Sequence, residues 1–211
     1  MSTIASQIAN KLLEIKAIKL QPKNPFTWAS GLKSPIYCDN RILLSYPEIR
    51  NIVKNALVEK VRVFKPFDVV AGVATAGIAH GALLADALDL PFVYVRSKPK
   101  GHGMQNLIEG KLPPASKVLV IEDLISTGKS SIAACDALTE AGAEVVGVLA
   151  IFSYGLDKAS SAFTKSGIPL ETLSNYRNLL SEALHINYIS EDEKSILETW
   201  NKDPQAWADN Y

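Results

Sequence analysis

Two adjacent acids, Glu122 and Asp123, end a run of four apolar residues, and a segment rich in hydroxyl groups and glycine follows them. Ionised carboxylates accept hydrogen bonds, so the pair suits a diol such as that of ribose. Residues 126–130 read STGKS, and a helical pattern begins directly afterwards. Turns and helix N-termini of this kind offer unpaired backbone N–H groups to a phosphate. The pattern therefore predicts a site for a phosphorylated sugar at the carboxyl end of a buried strand.

Two other interpretations fit parts of this segment. A plain buried strand before an N-capped helix would use Ser126 or Thr127 as the cap, but capping does not require two consecutive acids. A nucleotide P-loop ends in the Gly-Lys-Ser that residues 128–130 provide, but that motif needs glycine at position 123. Asp123 stands there and would bring negative charge to the phosphates. The sequence therefore favours the sugar phosphate site over both.

A second segment carries basic groups that suit a diphosphate. Arg96, Lys100 and His102 place three potential cations close together, directly after a predicted strand, and two glycines give the backbone freedom. A basic loop seen alone is usually solvated surface. Beside a phosphate site it has another use, because a loop that closes over a diphosphate can supply cations and exclude water.

A third segment, residues 71–77, consists mainly of small residues after another predicted strand. Small side chains let backbone N–H groups approach an anion closely. An ordinary strand-to-helix turn would look the same in isolation. Beside the other two segments, Thr75, Ala76 and Gly77 are interpreted as a pyrophosphate loop.

The elements that must position these groups follow from hydrophobic periodicity. Apolar residues at helical spacing predict helices near 4–15, 49–61, 78–88 and 132–138, and short apolar runs predict strands at 68–72, 92–95, 117–122 and 145–152. Such alternation implies an α/β fold, a Rossmann-like parallel sheet flanked by helices. Residues 26–39 predict a β-hairpin around Ser30-Gly31, which forms a small cap with the first helix and the C-terminal helical patches. Residues 97–114 predict a long loop of the kind that acts as a lid.

Composition excludes several classes of protein. The chain has 211 residues, 47% of them hydrophobic, and a formal net charge of zero. These values indicate a folded domain and argue against a binder of nucleic acid. The longest apolar run, residues 145–152, is too short to span a bilayer, so no membrane association is expected. Cys38 and Cys135 give no disulfide framework or zinc spacing, and a cytoplasmic location is predicted.

The four apolar residues, two acids and hydroxyl-glycine loop resemble the phosphoribosyl pyrophosphate (PRPP) motif of type I phosphoribosyltransferases. With the loop RSKPKGHG and the hairpin FTWASGLKSPIYCD, the chain resembles the orotate phosphoribosyltransferase family in particular. The three motifs occur in the order expected for the family, between about residues 20 and 155. The resemblance implies one phosphoribosyltransferase domain over residues 1–211. Its PRPP-binding core covers about residues 46–170, with cap and flanking elements at about 1–45 and 170–211.

The resemblance also implies an activity, partners and residue roles. The enzyme would transfer the 5-phosphoribosyl group of PRPP to orotate, as a homodimer whose 97–107 loop reaches the partner's site. Mg²⁺ would be carried mainly by the substrate and water, with no direct protein ligand. The implied catalytic residues are Lys100, His102 and Asp123. The residues implied to contact PRPP are Arg96, Lys100, His102, Glu122, Asp123, Leu124, Ile125, Ser126, Thr127, Gly128, Lys129 and Ser130. Ser126 and Tyr37 would contact orotate.

The sequence departs from the family pattern at several basic positions. Many members carry lysine where Ala29 and Ala76 stand, a second basic residue at Ser97, and arginine near Tyr154. These changes bear on how the orotate carboxylate is held. Two alternatives stay open at this stage, a phosphoribosyltransferase for another base and a PRPP-sensing regulator that binds RNA. His80 and His185 lie in helix-like context and are interpreted as structural or surface residues.

Overall fold

The computed structural model describes residues 3–28, 30–98 and 107–210. Within these ranges, six strands form one sheet in the order β10-β9-β8-β5-β6-β7, parallel throughout except for the antiparallel edge strand β7. Two short two-stranded sheets, β1-β4 and β2-β3, lie outside it. The strands are β1 (Ile18–Leu20), β2 (Phe26–Thr27), β3 (Lys33–Ser34), β4 (Ile36–Cys38), β5 (Val69–Val73), β6 (Phe92–Val95), β7 (Ile108–Glu109), β8 (Lys117–Ile125), β9 (Glu144–Ser153) and β10 (Leu170–Asn175).

Helices cover both faces of the sheet, as its parallel connections require. They are α1 (Ile4–Glu14), α2 (Pro47–Lys60), α3 (Ala76–Leu88), α4 (Lys129–Glu140), α5 (Asp157–Ser166), α6 (Tyr176–His185), α7 (Glu191–Lys202) and α8 (Pro204–Ala208), with 3-10 helices at Asn40–Ser45 and Val61–Val63. No helix among the described residues is long and apolar enough to cross a membrane.

Strand β8 shows why the fold has two cores. Along it, Leu119 and Ile121 point into a cluster with helices α1, α2, α3, α6 and α7, whereas Val118 and Val120 point into a cluster with α4 and α5. Alternate side chains of a strand face opposite sides of a sheet. A central strand that is buried on both faces therefore has a continuous run of apolar residues, and this run is what predicted the strand from the sequence.

An aromatic cluster joins the hairpin to the C-terminal helices. Trp28 of the hairpin stacks on Tyr154 at 5.7 Å between ring centroids, and both rings meet the edge of Trp200 from α7. Asn201 Nδ2 also donates to the carbonyl of Tyr154 at 2.7 Å. Since Tyr154 directly follows β9, the cluster packs the hairpin against the carboxyl end of the sheet.

The structure confirms the α/β class and corrects some boundaries. Strand β8 continues to Ile125, so Leu124 and Ile125 belong to a strand and not to the loop. Helix α3 begins at Ala76, which leaves only Ala74 and Thr75 between it and β5. Helix α5 and strands β1 and β7 were not predicted. Helix α1 packs against α6 and β10, so it flanks the sheet as well as adjoining the cap.

Candidate functional site

The two acids have different surroundings at the carboxyl end of β8. Glu122 is only 5% exposed. Its Oε2 accepts hydrogen bonds from Ser130 Oγ at 3.3 Å and Ser131 Oγ at 3.1 Å, and its Oε1 accepts one from the backbone N–H of Asp123 at 3.1 Å. Asp123 is partly exposed. The structure therefore turns Glu122 toward the first turn of α4 and leaves Asp123 as the more accessible carboxylate.

Burial changes the acidity of both groups. It raises the pKa of Glu122 to about 8, and the neighbouring negative charge of Asp123 adds to the effect. Burial also raises the pKa of Asp123. Desolvation and a like charge both disfavour the ionised form of a carboxyl group. The two ionised carboxyl groups would repel each other with little water to screen them, and a positively charged ligand group would stabilise their ionised forms.

The raised pKa of Glu122 predicts a pH-dependent stability. The unfolded chain releases this proton near pH 4.5 and the folded chain near pH 8, so the free energy of unfolding falls as pH rises between these values. We expect Glu122→Gln to reduce that fall by on the order of 1 to 3 kcal/mol, at about 1.4 kcal/mol per pKa unit. Urea unfolding at pH 5 and pH 8 measures it, with Glu140→Gln, exposed at the end of α4, as the control. Equal pH slopes in wild type and Glu122→Gln would contradict the assignment.

The hydroxyl-glycine segment forms the start of α4. Gly128 is the N-cap residue with φ +77°, and a Cβ there would lie 2.8 Å from Cε2 of Phe163. Both the backbone conformation and the space favour glycine. Thr127, Lys129 and Ser130 are exposed around it. The segment thus presents the free N–H groups of a helix N-terminus to the solvent side of the sheet edge.

Leu124 and Ile125, predicted among the residues around the phosphate, lie in β8. The side chain of Ile125 is fully buried in the core beside α4 and α5. The apolar side chain of Ile125 therefore faces away from any phosphate, and its carbonyl accepts the N–H of Tyr154 at 3.0 Å.

Parts of all three segments that were predicted from sequence line one cavity of about 470 Å³, but the acid pair and residues 75–77 are not among its lining residues. Its lining comes from the ends of β5 and β6 and from the start of α4. Ala74, Arg96, Thr127 and Ser130 are among the lining residues. The carboxyl ends of parallel strands share one edge of the sheet, and open α/β sheets bind ligands there. The cavity thus has the location and the donors that a diphosphate requires.

The predicted pyrophosphate loop is the first turn of α3. Thr75 is exposed at the N-cap position, Ala76 opens the helix, and Gly77 is buried. A Cβ on Gly77 would lie 2.5 Å from the carbonyl oxygen of Ile121, so glycine lets α3 lie directly against β8. The correction from loop to helix start keeps free backbone N–H groups at this edge.

Arg96 follows β6 and is held in place by an ion pair. Its Nη1 lies 3.2 Å from Glu109 Oε1, and its side chain is 29% exposed. Its backbone N–H donates to the carbonyl of Leu107 at 2.8 Å. Glu109 of β7 therefore fixes the arginine at the rim of the cavity. Lys100 and His102 lie outside the described residues.

The two residues predicted to contact orotate have separate surroundings. Ser126 lines a second cavity of about 210 Å³, between the hairpin and the C-terminal helices, together with Trp28, Lys158 and Lys202. Tyr37 is 39% exposed, packs on Phe26 at 5.7 Å between ring centroids, and is not among the described residues that line this cavity.

Sequence reasoning missed the polar cluster beneath Asp123. Asn40 is fully buried, and its Nδ2 donates to the carbonyl of Asp123 at 2.8 Å. Next to it, Arg41 makes two hydrogen bonds to Asp39, at 2.7 and 2.8 Å, which lower the pKa of that carboxyl group. The signal in the sequence was the run of polar residues after the hairpin, but nothing in it pointed to residue 123.

Comparisons with known proteins agree with this arrangement. The family model described as a phosphoribosyl transferase domain matches residues 40–182, which hold the acid pair, the start of α4 and all six strands of the sheet. Fold and site thus define a phosphoribosyltransferase domain.

Individual proteins that are similar over nearly the whole chain indicate a narrower family of phosphoribosyltransferases. The orotate phosphoribosyltransferase of Porphyromonas gingivalis is 53% identical over 99% of this chain and all of its own length. That of Listeria innocua is 54% identical over 98% of this chain and 99% of its own. A crystal structure of the orotate phosphoribosyltransferase from Aeropyrum pernix has a TM-score of 0.75 at 27% identity, over 87% of this chain and 99% of its own. The chain belongs to the orotate phosphoribosyltransferase family.

Proposed function

We propose that this chain transfers the 5-phosphoribosyl group from PRPP to N1 of orotate, giving orotidine 5′-monophosphate and pyrophosphate in pyrimidine biosynthesis. The observation that carries the proposal is the cavity at which the ends of β5 and β6 and the start of α4 meet, since Ser130 in its lining donates a hydrogen bond to Glu122 of the acid pair. Full-length relatives with this activity in their names support it.

The sugar phosphate has a natural orientation in this site. The 5′-phosphate suits the N-terminus of α4, where residues 126–130 offer backbone N–H groups and hydroxyls. The ribose hydroxyls then lie toward Asp123, and Glu122 acts behind it through its contacts with Ser130 and Ser131. This orientation directs the diphosphate toward the cavity that Arg96 and Ala74 line.

The residue types suit the charges that develop in the reaction. Breaking the bond between C1 of the ribose and the diphosphate builds positive charge on the sugar and negative charge on the leaving group. A carboxylate at Asp123 stabilises the first, and the cation of Arg96, with N–H groups at Thr75–Gly77, stabilises the second. Lys100 and His102 add to the same side in the proposal, on the basis of the family resemblance.

Mg²⁺ fits the site as a partner of the substrate. The described residues contain no group of three or more His, Cys, Asp or Glu side chains that could hold a metal ion. Asp123 offers one partly exposed carboxylate, which would bind the ribose hydroxyls while the substrate phosphates and water would supply the Mg²⁺ ligands. Bound in that way, Mg²⁺ would neutralise negative charge on the departing pyrophosphate.

Recognition of the base is assigned to the side of the site near Ser126. The described basic residues that line the cavity beside Ser126 are Lys158 and Lys202, and Asp157 and Asp203 line it too. The two lysines are proposed as the groups that offer positive charge to the orotate carboxylate. The family resemblance implies an arginine near Tyr154 in many members, and here the ring of Tyr154 packs on Trp28 and Trp200. Tyr37 stays a predicted orotate contact at the exposed rim of the hairpin.

We propose a homodimer and a cytoplasmic location for the protein. A homodimer in which the 97–107 loop reaches the partner's site rests on the family resemblance, and residues 99–106 of that loop lie outside the described residues. A cytoplasmic location rests on cysteine usage, and Cys38 and Cys135 are both free thiols.

The test is consumption of orotate by purified protein with PRPP and Mg²⁺. We expect the absorbance of orotate to fall only when PRPP is present, with equal amounts of pyrophosphate and orotidine 5′-monophosphate formed. Uracil, adenine and hypoxanthine in place of orotate serve as matched substrates. Consumption of one of these bases but not of orotate would replace the proposal by another phosphoribosyltransferase activity, and salt-dependent RNA binding without turnover would replace it by the regulator.

A further inference from the structure

We propose that Asn40 is a positioning residue, which fixes the peptide of Asp123 and thereby the carboxylate beneath the ribose, and that His80 fixes Asn40 in turn. This inference rests on the proposed function, because the role of Asp123 as a ribose ligand belongs to it.

The contact between Asn40 and Asp123 joins two distant parts of the chain. Asn40 opens the 3-10 helix after the hairpin and is fully buried, and its Nδ2 donates to the carbonyl of Asp123 at 2.8 Å. Cys38 Sγ donates to Oδ1 of Asn40 at 3.5 Å, which directs the amide nitrogen toward Asp123. The amide therefore has a partner for its oxygen and its nitrogen, and its orientation is defined.

The sheet itself does not hold Asp123 on one side. Pairing between β8 and β5 ends at Ile121, whose partner is Gly72, two residues before Asp123. Pairing with β9 continues to Ile125 on the other side. Beyond the end of the β5 ladder, the Asn40 amide supplies a donor to β8. A carbonyl that is shielded from water and has no donor is costly, so the Asn40 amide stabilises β8 on the side where β5 no longer pairs with it.

His80 supports Asn40 from helix α3. The side chain is 2% exposed and lies close to the backbone of Asn40, where helix α3 contacts the 3-10 helix. Burial lowers the pKa of His80 to about 4, so the ring is neutral at physiological pH. Its Nε2 has no hydrogen-bond partner within the part of the chain that the structure describes. A buried neutral ring at this place supports Asn40 by packing, without adding a charge near Asp123.

The first test is the affinity for PRPP, which does not depend on which base is used. We expect Asn40→Ala to raise the Kd for PRPP with Mg²⁺, measured by calorimetry, about 3- to 10-fold, which is the scale of one lost hydrogen bond. We also expect kcat to fall, while the KM for orotate stays within about twofold of wild type. Asn10→Ala is the matched control. The amide of Asn10, on α1, donates to Glu182 Oε1 at 3.0 Å, and we expect this variant to have an unchanged Kd for PRPP. A wild-type Kd and kcat for Asn40→Ala would overturn the proposal.

The second test separates positioning from general destabilisation. We expect His80→Leu to raise the Kd for PRPP less than Asn40→Ala does, and the double variant to bind PRPP no worse than Asn40→Ala alone, because His80 acts through Asn40. Losses that add would contradict the chain of contacts. If Asn40→Ala does not fold by circular dichroism, an unchanged Kd in folded His80→Leu overturns the proposal. Wild-type protein that binds PRPP but leaves orotate intact would contradict the proposed function alone. Wild-type protein that does not bind PRPP would contradict both the proposed function and the positioning role of Asn40.

Discussion

Replacing Asp123 by asparagine is expected to lower kcat/KM for PRPP by about 10²- to 10³-fold, the scale for removing one preorganised charge contact. Asparagine has nearly the same shape but carries no charge. The positive charge that develops on the ribose would lose the accessible carboxylate at the end of β8. Glu122 cannot replace it, because its oxygens are held by Ser130, Ser131 and the backbone of Asp123.

Steady-state kinetics with varied PRPP measures this effect. The control is Asp136→Asn, which removes an exposed carboxylate from helix α4 and should leave kcat/KM within about twofold. Thermal unfolding of both variants excludes loss of folded protein as the cause. Wild-type kcat/KM in folded Asp123→Asn would mean that the ribose is bound elsewhere.

Replacing Trp200 by alanine is expected to lower the free energy of unfolding by about 3 to 5 kcal/mol, the range for truncating a large buried side chain. Trp200 is fully buried, and its ring contacts Trp28, Tyr154 and Tyr176 at 5.5 to 5.9 Å between centroids. Its Nε1 has no hydrogen-bond partner within the described ranges, so the expected loss comes from packing. The hairpin loses its support at the same time.

Urea unfolding followed by circular dichroism checks this value. Trp207→Ala on α8 is the matched control, since that ring is only partly buried and should cost clearly less. Trp200→Phe keeps most of the apolar volume, so its loss in free energy of unfolding should lie between those of Trp200→Ala and Trp207→Ala. If Trp200→Ala were no less stable than Trp207→Ala, the aromatic cluster would not be what holds the hairpin to the sheet.

The sequence predicted the site's parts because each part is local. Strand β8 is buried on both faces and reads as an apolar run, and the acids and hydroxyls that follow it are adjacent in the chain. The end of the strand was placed too early, because Glu122 and Asp123 look like a boundary. In the structure the strand passes through both acids, since Ile125 is still needed in the core.

Other features depend on contacts that are distant in sequence. Asn40 reaches Asp123 across 83 positions, and no local pattern indicates that pairing. Helix α5 was missed because only Ala159 and Phe163 are buried along it, too few for a clear helical period. Strand β7 has two residues and exists through its pairing with β6. Local periodicity therefore gave the layers, and tertiary contacts decided the details around the acids.

The most direct measurement is a crystal structure with orotidine 5′-monophosphate bound. The account predicts the phosphate at the start of α4 within hydrogen-bond distance of backbone N–H groups of residues 126–130, the ribose hydroxyls on Asp123, and the base on the side of Ser126. A nucleotide bound in a well-occupied site that leaves Asp123 and the N-terminus of α4 untouched would contradict it.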